Sequence, residues 1–348
     1  MLTEPPLAIC DALAAVAAVG AASAQVSITG EAAWGFLSTT DGAGASASGF
    51  GIDTALLTFQ AKEDLGNGIS AAAKLQATTS AGIGGTAGID DQSLTLSFPM
   101  ATVSLLTYKP GDWVSGASGA ATWYGLDGKV FSARQTRDAM AVTLPLAAGL
   151  SLTAAYLEPG NSLGEGAGSS GTTGQSVYNF GVKYATGPAT LQAAFLQYTN
   201  VTSSDAKTDT VTRLGANVDL GVAKIGGGLQ IAKTGAGGTN TQTALSISAP
   251  LPGGFSAQAV FGSNNVDSST GEATVPIGRR TGYMLGLQYN LSKRTYAILN
   301  AGSWTGQPPT VPGFTLSGTT GLPTNTATAV TNDGAATSMY AMTLVHDF

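Results

Sequence analysis

The chain is poor in the residues on which most catalytic and metal-binding sites depend. Its 348 residues include one cysteine, Cys10, and one histidine, His346. A zinc site built from cysteine and histidine is therefore excluded, and histidine-based acid–base catalysis has a single candidate. The adjacent carboxylates at 63–64 and 90–91 cannot form a shared acid–base site, because neighbouring side chains of a strand point to opposite faces. We expect no catalysis, no metal and no cofactor.

Charge is also scarce. Charged residues make up 10% of the chain, against about 25% in a typical soluble domain. The sequence pI of about 4.7 argues against a nucleic-acid partner, which favours a basic surface. Hydrophobic residues reach 43%, yet beyond the N-terminal segment no run of about eighteen apolar residues could form a membrane helix. This combination is typical of a transmembrane β-barrel, whose strands alternate between lipid and lumen.

The N-terminus has the features of an export signal. Residues 7–22 are apolar and rich in alanine, and an A-S-A motif at 22–24 is a typical cleavage site. The first six residues depart from the usual pattern, because they carry Glu4 and no basic residue. We interpret residues 1–24 as a signal peptide and residues 25–348 as one barrel domain without cysteine.

The last segment, residues 337–348, alternates with a period of two. Every second side chain is large and apolar or aromatic, while the intervening positions are smaller and mixed. A strand with this pattern has one side in lipid and the other in a lumen. An edge strand of a soluble sandwich is the alternative. The large side chains are Tyr340, Met342, Leu344, His346 and Phe348.

Similar segments recur along the mature chain and are separated alternately by tight and long connections. This alternation places short turns at one end of an antiparallel sheet and long loops at the other, and an even number of strands allows the sheet to close. We therefore predict an all-β fold, a transmembrane antiparallel barrel of about sixteen strands. The predicted strands are 25–37, 50–62, 69–79, 90–98, 101–108, 137–144, 150–157, 175–184, 189–199, 210–220, 222–232, 241–249, 255–263, 279–290, 294–303 and 337–348.

Basic side chains share a face with glycines and amides in these strands. In strand 279–290, Arg280 and Gly282 oppose Tyr283 and Leu285. A soluble barrel would show the reverse, with an apolar interior. An open lumen explains such charges better than a plugged structural or adhesive barrel, which would neutralise them with inward carboxylates. The predicted inward basic residues are Lys74, Arg137, Lys183, Arg213 and Arg280.

Three segments then give a more specific indication. The E-D-L-G-N-G-I sequence at 63–69, the Y-N-L-S-K-R-T sequence at 289–295 and the final strand ending in Phe348 resemble the general porins of Gram-negative bacteria, specifically the trimeric, sixteen-stranded type of β-proteobacteria. Together these segments and the strand order cover essentially the whole mature chain. Each motif alone is modest, but their joint order is specific.

The resemblance implies an outer-membrane channel for passive diffusion of small hydrophilic solutes and ions. It further implies a homotrimer in contact with outer-membrane lipid and lipopolysaccharide, and a third long loop that folds inward as a constriction. That loop, residues 109–134 and called the third loop below, carries Asp112, Asp127 and Lys129. Phe348 is similar to the family's assembly signal. Small side chains at Ala32, Ala71 and Ala73 would allow close packing between barrels.

The sequence also departs from the family. Where related porins carry arginines on the constriction wall, this chain has Gln60 and Leu56, and another such position falls near Asp91. The anion preference of the family is therefore not expected here. We predict weak selectivity and a preference for small neutral or poorly charged solutes. A structural or adhesive barrel, and an enzyme built on a barrel, are the alternatives.

Overall fold

The computed structural model describes residues 25–40, 44, 46–78, 88–109, 113–119, 122–127, 129–131, 136–159, 176–203, 207–267, 278–305, 315–316, 323–324 and 337–348. The predicted signal peptide and Asp112 lie outside the described residues. Within the described part of the chain, no helix is both long enough and apolar enough to cross a membrane.

Sixteen antiparallel strands form one closed barrel, in which each strand pairs with the next along the chain and the last pairs with the first. The predicted fold is confirmed. The strands are β1 (Gln25–Thr40), β2 (Ser46–Gly66), β3 (Ile69–Thr78), β4 (Gly88–Phe98), β5 (Ala101–Tyr108), β6 (Arg137–Pro145), β7 (Leu150–Pro159), β8 (Val177–Thr186), β9 (Ala189–Tyr198), β10 (Thr208–Asp219), β11 (Lys224–Thr234), β12 (Thr239–Leu251), β13 (Phe255–Val266), β14 (Gly278–Asn290), β15 (Thr295–Thr305) and β16 (Thr337–Asp347).

Short elements complete the described structure. One helix, α1 (Trp113–Ser118), lies in the third loop. Two 3-10 turns, Ala147–Gly149 and Pro252–Gly254, connect β6 to β7 and β12 to β13. A two-residue strand pair, Thr315–Leu316 with Pro323–Thr324, stands apart from the barrel sheet.

Tight turns close one end of the barrel, called the short-turn end below. Between β2 and β3, Asn67 and Gly68 have φ angles of 53° and 75°. A two-residue hairpin turn that matches the twist of the strands requires positive φ at both central residues, and asparagine and glycine are the residues that accept it. The hairpin predicted from the Asn-Gly pair is thus confirmed.

The strand ends differ from the predicted ones. β2 begins at Ser46 rather than at residue 50, because residues 46–49 continue the pairing with β1 as far as Ser46 opposite Thr40. This segment is rich in serine, alanine and glycine. Such residues have low strand propensity, so cross-strand pairing rather than local preference decides their conformation. β11 begins at Lys224 rather than at residue 222, because the Leu220 amide donates to the Ala223 carbonyl and closes a turn.

The alternation of outward and inward side chains follows the predicted pattern. In β16, Tyr340 and Leu344 are 58% and 52% exposed, whereas Met339 and Val345 are 4% and 0% exposed. The outer face of the barrel is apolar and exposed, as a lipid-facing surface requires. The inward face of β16 is buried because the third loop packs against it from inside the barrel.

The main hydrophobic cluster therefore lies inside the lumen. The loop contributes Val114, Leu126, Val130 and Phe131, all at most 1% exposed. The wall contributes side chains from strands β12–β16 and β1. Burying each large side chain is worth about 1.5–3 kcal/mol, so the cluster fixes the loop against this part of the wall. The wall members are Leu37, Ala244, Val260, Met284, Trp304, Met339 and Ala341.

Candidate functional site: the lumen and the third loop

An inward row of small residues crosses five neighbouring strands. Its members face one another directly in the strand register, although they are far apart in the sequence. We call it the small-residue row. It consists of Gly215, Gly228, Ala244, Gly262 and Gly282.

The third loop lies directly on the small-residue row. A Cβ atom at Gly228 would collide with the backbone of Val114 in α1, and one at Gly262 would lie 2.6 Å from the Phe131 ring. One at Gly282 would lie 2.7 Å from Val130. Real Cβ atoms do not approach other atoms so closely, so glycine is required for the loop to reach the wall.

Polar side chains of the wall satisfy backbone groups of the loop. The Ser246 hydroxyl lies 2.9 Å from the carbonyl oxygen of Ser118 at the end of α1. The Asn264 side-chain amide donates to the Val130 carbonyl at 2.9 Å. Such bonds matter because an unpaired buried backbone group costs about 1–3 kcal/mol.

A second inward row lies next to the small-residue row, toward the end that carries the long loops. Two arginines border this polar row and three amides lie between them. The Arg213 guanidinium donates to Gln230 at 2.8 Å and stacks over the Trp113 ring, 5.6 Å from its centroid. Arg280, at the other end, is only 2% exposed. The row consists of Arg213, Gln230, Gln242, Asn264 and Arg280.

Apart from Lys109 at its start, the third loop makes its described contacts with β10–β16, β1 and β2, so the inner face of β3–β5 lies across from it. Three predicted site residues meet on β2–β4 beside this open side. Gln60 is the register partner of Lys74, and the Lys74 ammonium lies 4.0 Å from the Asp91 carboxylate. Asp91 also accepts a hydrogen bond from the Lys109 amide at 3.0 Å.

The remaining predicted wall residues are spread over the height of the lumen. Arg137 is paired with Tyr108 where β5 and β6 meet the third loop. Lys183 faces inward near the short-turn end of β8, between Ser151 and Gln192. The structure therefore does not gather the predicted basic residues into one cluster.

One charged side chain of the loop, Lys129, turns back onto the loop itself. The Lys129 ammonium donates to the Gly125 carbonyl at 2.9 Å and lies 5.7 Å from the centre of the Trp304 ring. Asp127 forms an isolated backbone bridge with Phe131.

Asp53 is a contact residue that the sequence reasoning missed. Its carboxylate accepts hydrogen bonds from the Trp123 indole at 2.9 Å and from the Tyr124 hydroxyl at 2.8 Å. Burial, together with the nearby Asp53 charge, raises the pKa of the Tyr124 hydroxyl, which therefore stays protonated and can donate. The sequence signal that could have revealed this residue is an acidic side chain between Ile52 and Thr54, where it interrupts the alternation of outward and inward positions in β2.

The barrel closes between β16 and β1, and the last residue takes part in this strand pairing, called the seam below. Phe348 and Gly30 exchange two backbone hydrogen bonds, at 2.9 and 3.0 Å. These bonds extend the pairing of β16 with β1 to the C-terminal residue. His346 lies on the outward face, with its Nδ1 2.9 Å from the Thr295 hydroxyl. In the described part of the chain, no group of three or more His, Cys, Asp or Glu side chains is arranged to hold a metal.

A closed barrel with an apolar exterior, a polar lumen and a loop folded into that lumen defines a transmembrane channel of the outer-membrane type. The sequence places it more narrowly: residues 12–305 match the family model described as Gram-negative porin. The chain belongs to this family, and it is an outer-membrane channel for passive diffusion. No curated protein is significantly similar to it in sequence.

Solved structures show the same fold at low sequence identity. An anion-selective porin from Comamonas acidovorans is 18% identical with a TM-score of 0.66, covering 94% of this chain and 100% of that one. The trimer form of OmpT from Vibrio cholerae is 11% identical with a TM-score of 0.67, covering 93% and 99%. A triple mutant of the Rhodopseudomonas blastica porin is 13% identical with a TM-score of 0.58, covering 93% and 100%.

Proposed function

We propose that this channel is weakly selective and favours small neutral or poorly charged hydrophilic solutes, without any catalytic step. The observation that carries this proposal is the near balance of charge on the inward face. Among the described residues, inward cations and anions are nearly equal in number. The cations are Lys62, Lys74, Lys129, Arg137, Lys183, Arg213, Lys224 and Arg280, and the anions are Glu31, Asp53, Asp64, Asp91, Asp127, Asp219 and Asp347.

Local contacts weaken the net field further. Lys74 lies beside Asp91, and Lys224 is the register partner of Asp219. Selectivity in a narrow pore depends on unbalanced charge whose field is focused by low-dielectric walls. Because opposite charges are neighbours here, neither sign of ion should be strongly excluded.

Reversal potentials in a KCl gradient across a planar bilayer test the proposal directly. We expect a permeability ratio between cation and anion of less than about tenfold in either direction. A larger ratio would contradict weak selectivity while leaving the channel itself established. Liposome-swelling rates should likewise fall with solute size more than with solute charge.

We further propose that the protein assembles as a homotrimer through the outer face of β1–β3. Small side chains cluster there: Ala32 faces Ala55, and Ala61 faces Ala73. Small side chains at these positions allow close approach of a second barrel there. The solved trimer form of the Vibrio cholerae protein supports the proposal.

A bulky residue on this face should weaken the trimer. Ala73→Trp should lower the temperature at which the trimer dissociates in detergent, measured by native mass spectrometry and gel mobility. Ala193→Trp, at an outward position on β9, is the matched control. Wild-type protein that runs only as a monomer after cross-linking would contradict the trimer.

We also propose that residues 1–24 are removed on export and that the barrel contacts outer-membrane lipid and lipopolysaccharide. The A-S-A motif before Gln25 and the exposed apolar outer face support these points. N-terminal sequencing of the outer-membrane form should begin at Gln25. Co-purified lipid, identified by mass spectrometry, tests the second point.

A further inference from the structure

We propose that Asp53 is the positioning residue that holds the tip of the third loop against the wall and so keeps the channel steadily open. The proposal goes beyond the proposed selectivity and concerns the residue that stabilises the open state of the channel. It is carried by a strand irregularity, by two hydrogen bonds and by the distribution of charge around one carboxylate.

The position of Asp53 in β2 is special. Ala33 of β1 pairs with Thr54 and Trp34 pairs with Ile52, so Asp53 has no register partner in β1. An extra residue of this kind is a β-bulge, which bends the strand locally and redirects a side chain. Here the bulge lets the Asp53 carboxylate meet the third loop.

The two carboxylate oxygens bind consecutive residues at the tip of the loop. Trp123 donates to Oδ2 and Tyr124 to Oδ1. The Trp123 ring also lies edge-on to Tyr296, with centroids 6.2 Å apart, and the Tyr124 hydroxyl lies 3.4 Å from Thr343. The tip is thereby attached to β2, β15 and β16.

The attachment at Asp53 lies far around the wall from the polar anchors of α1. α1 is held on β10 and β12, where Asn217 contacts the Ala117 carbonyl at 3.4 Å and Ser246 contacts Ser118. Val130 and Phe131, which follow the tip in the chain, pack on the small-residue row. Loss of the Asp53 contact would loosen the tip, which then keeps its contacts with Thr343, Tyr296 and the cluster, while α1 stays in place. A loosened tip would move more often toward the open part of the lumen.

The chemistry of the contact favours a carboxylate. Among the described residues Asp53 forms no ion pair, so its charge is compensated by hydrogen bonds from the loop and by Thr54, whose hydroxyl lies 3.3 Å away. Hydrogen bonds to an ionised acceptor are about twice as strong as neutral ones. An asparagine would accept only one of the two loop donors and would present an NH2 group to the other.

Single-channel recordings of the purified full-length protein test the proposal. The variants are Asp53→Ala, Asp53→Asn and Tyr124→Phe. The matched control is Asp64→Asn, which removes another carboxylate from β2, one that accepts a hydrogen bond from the Gly66 amide at the short-turn end. Heat stability of the folded protein on gels is measured in parallel.

We expect brief closures to be at least about tenfold more frequent in Asp53→Ala, because both loop hydrogen bonds to the carboxylate are lost. Asp53→Asn and Tyr124→Phe should show intermediate frequencies. Combining Tyr124→Phe with Asp53→Ala should add little, since the two share one interaction. The control should show the closure frequency of the wild type.

Closure frequencies in Asp53→Ala equal to those of the wild type and the control would overturn the proposal. A variant that loses heat stability but records like the wild type would also overturn it, because the role would then be structural only. If Asp53→Ala does not fold, the closure frequency of Tyr124→Phe tests the proposal, because this variant keeps the packed ring and removes one of the two hydrogen-bond donors. A wild-type protein without conductance would instead contradict the channel itself.

Discussion

Gly228→Ala should narrow the channel. In the present structure a Cβ at residue 228 would lie 3.0 Å from the carbonyl carbon of Val114 and 3.1 Å from its Cα, and it would overlap the Val114 carbonyl oxygen. Comfortable carbon–carbon contacts are about 3.5–4.0 Å and the overlap with the oxygen is more severe, so α1 must move away from the wall by roughly 1 Å. The only direction open to it is toward the lumen.

The cost of the substitution follows from the atoms involved. The conflicting atoms belong to the backbone of α1, which cannot move aside by a change of rotamer. Overpacking of this kind typically costs about 1–3 kcal/mol. That cost is smaller than the loss of the whole loop cluster, in which each large side chain is worth about 1.5–3 kcal/mol. We therefore expect α1 to shift and remain inside the barrel rather than to be expelled.

The matched control is Gly227→Ala, one residue away on the outward face of β11. A Cβ there would lie 3.3 Å from Leu245, a flexible side chain that can adjust. In planar bilayers, Gly228→Ala should show a lower single-channel conductance and a lower unfolding temperature than Gly227→Ala. Equal conductance in the two variants would refute the reasoning, because the wall would then not require glycine under α1.

Three further outcomes follow from the lumen and the seam. Asp127→Lys should shift the reversal potential toward anions more than Asp209→Lys, because Asp209 is bound by Gln197 at 2.9 Å near a strand end, away from the loop. A shift of equal size in both would contradict a role of the loop charge. Ser246→Ala should lower the free energy of unfolding by about 1 kcal/mol, measured by denaturant titration, and an unchanged value would argue against the Ser118 contact. Phe348→Ala should reduce the yield of heat-modifiable barrel in the outer membrane, and unchanged yield would dismiss the residue as an assembly signal.

The strands could be predicted from the sequence because lipid and lumen impose opposite demands on alternate residues. That contrast is local, so Tyr283 and Leu285 opposite Arg280 and Gly282 are readable within a single segment. Strand ends were less readable. Serine, alanine and glycine at the start of β2 resemble a loop, and only the pairing of Thr40 with Ser46 makes them a strand.

The surroundings of the third loop could not be predicted in the same way. The small-residue row joins Gly215 to Gly282 across strands distant in sequence, and a single sequence shows the glycines without showing that they align. Asp53 faces the loop because of a bulge, and one extra residue leaves no periodic signal of its own. Both features depend on the register between strands, which local patterns do not specify.

The position of the hydrophobic cluster inside the lumen divides the inner wall into two regimes of mutational tolerance. On β10–β16 an inward substitution changes protein interior, and Gly228 or Met284 can vary little without disturbing packing. On β3–β5 the inward side chains face across to the loop, and a change such as Lys74→Glu alters charge with little packing to disrupt. Solute preference can therefore diverge, or be engineered, on this part of the wall while the packed strands preserve the fold.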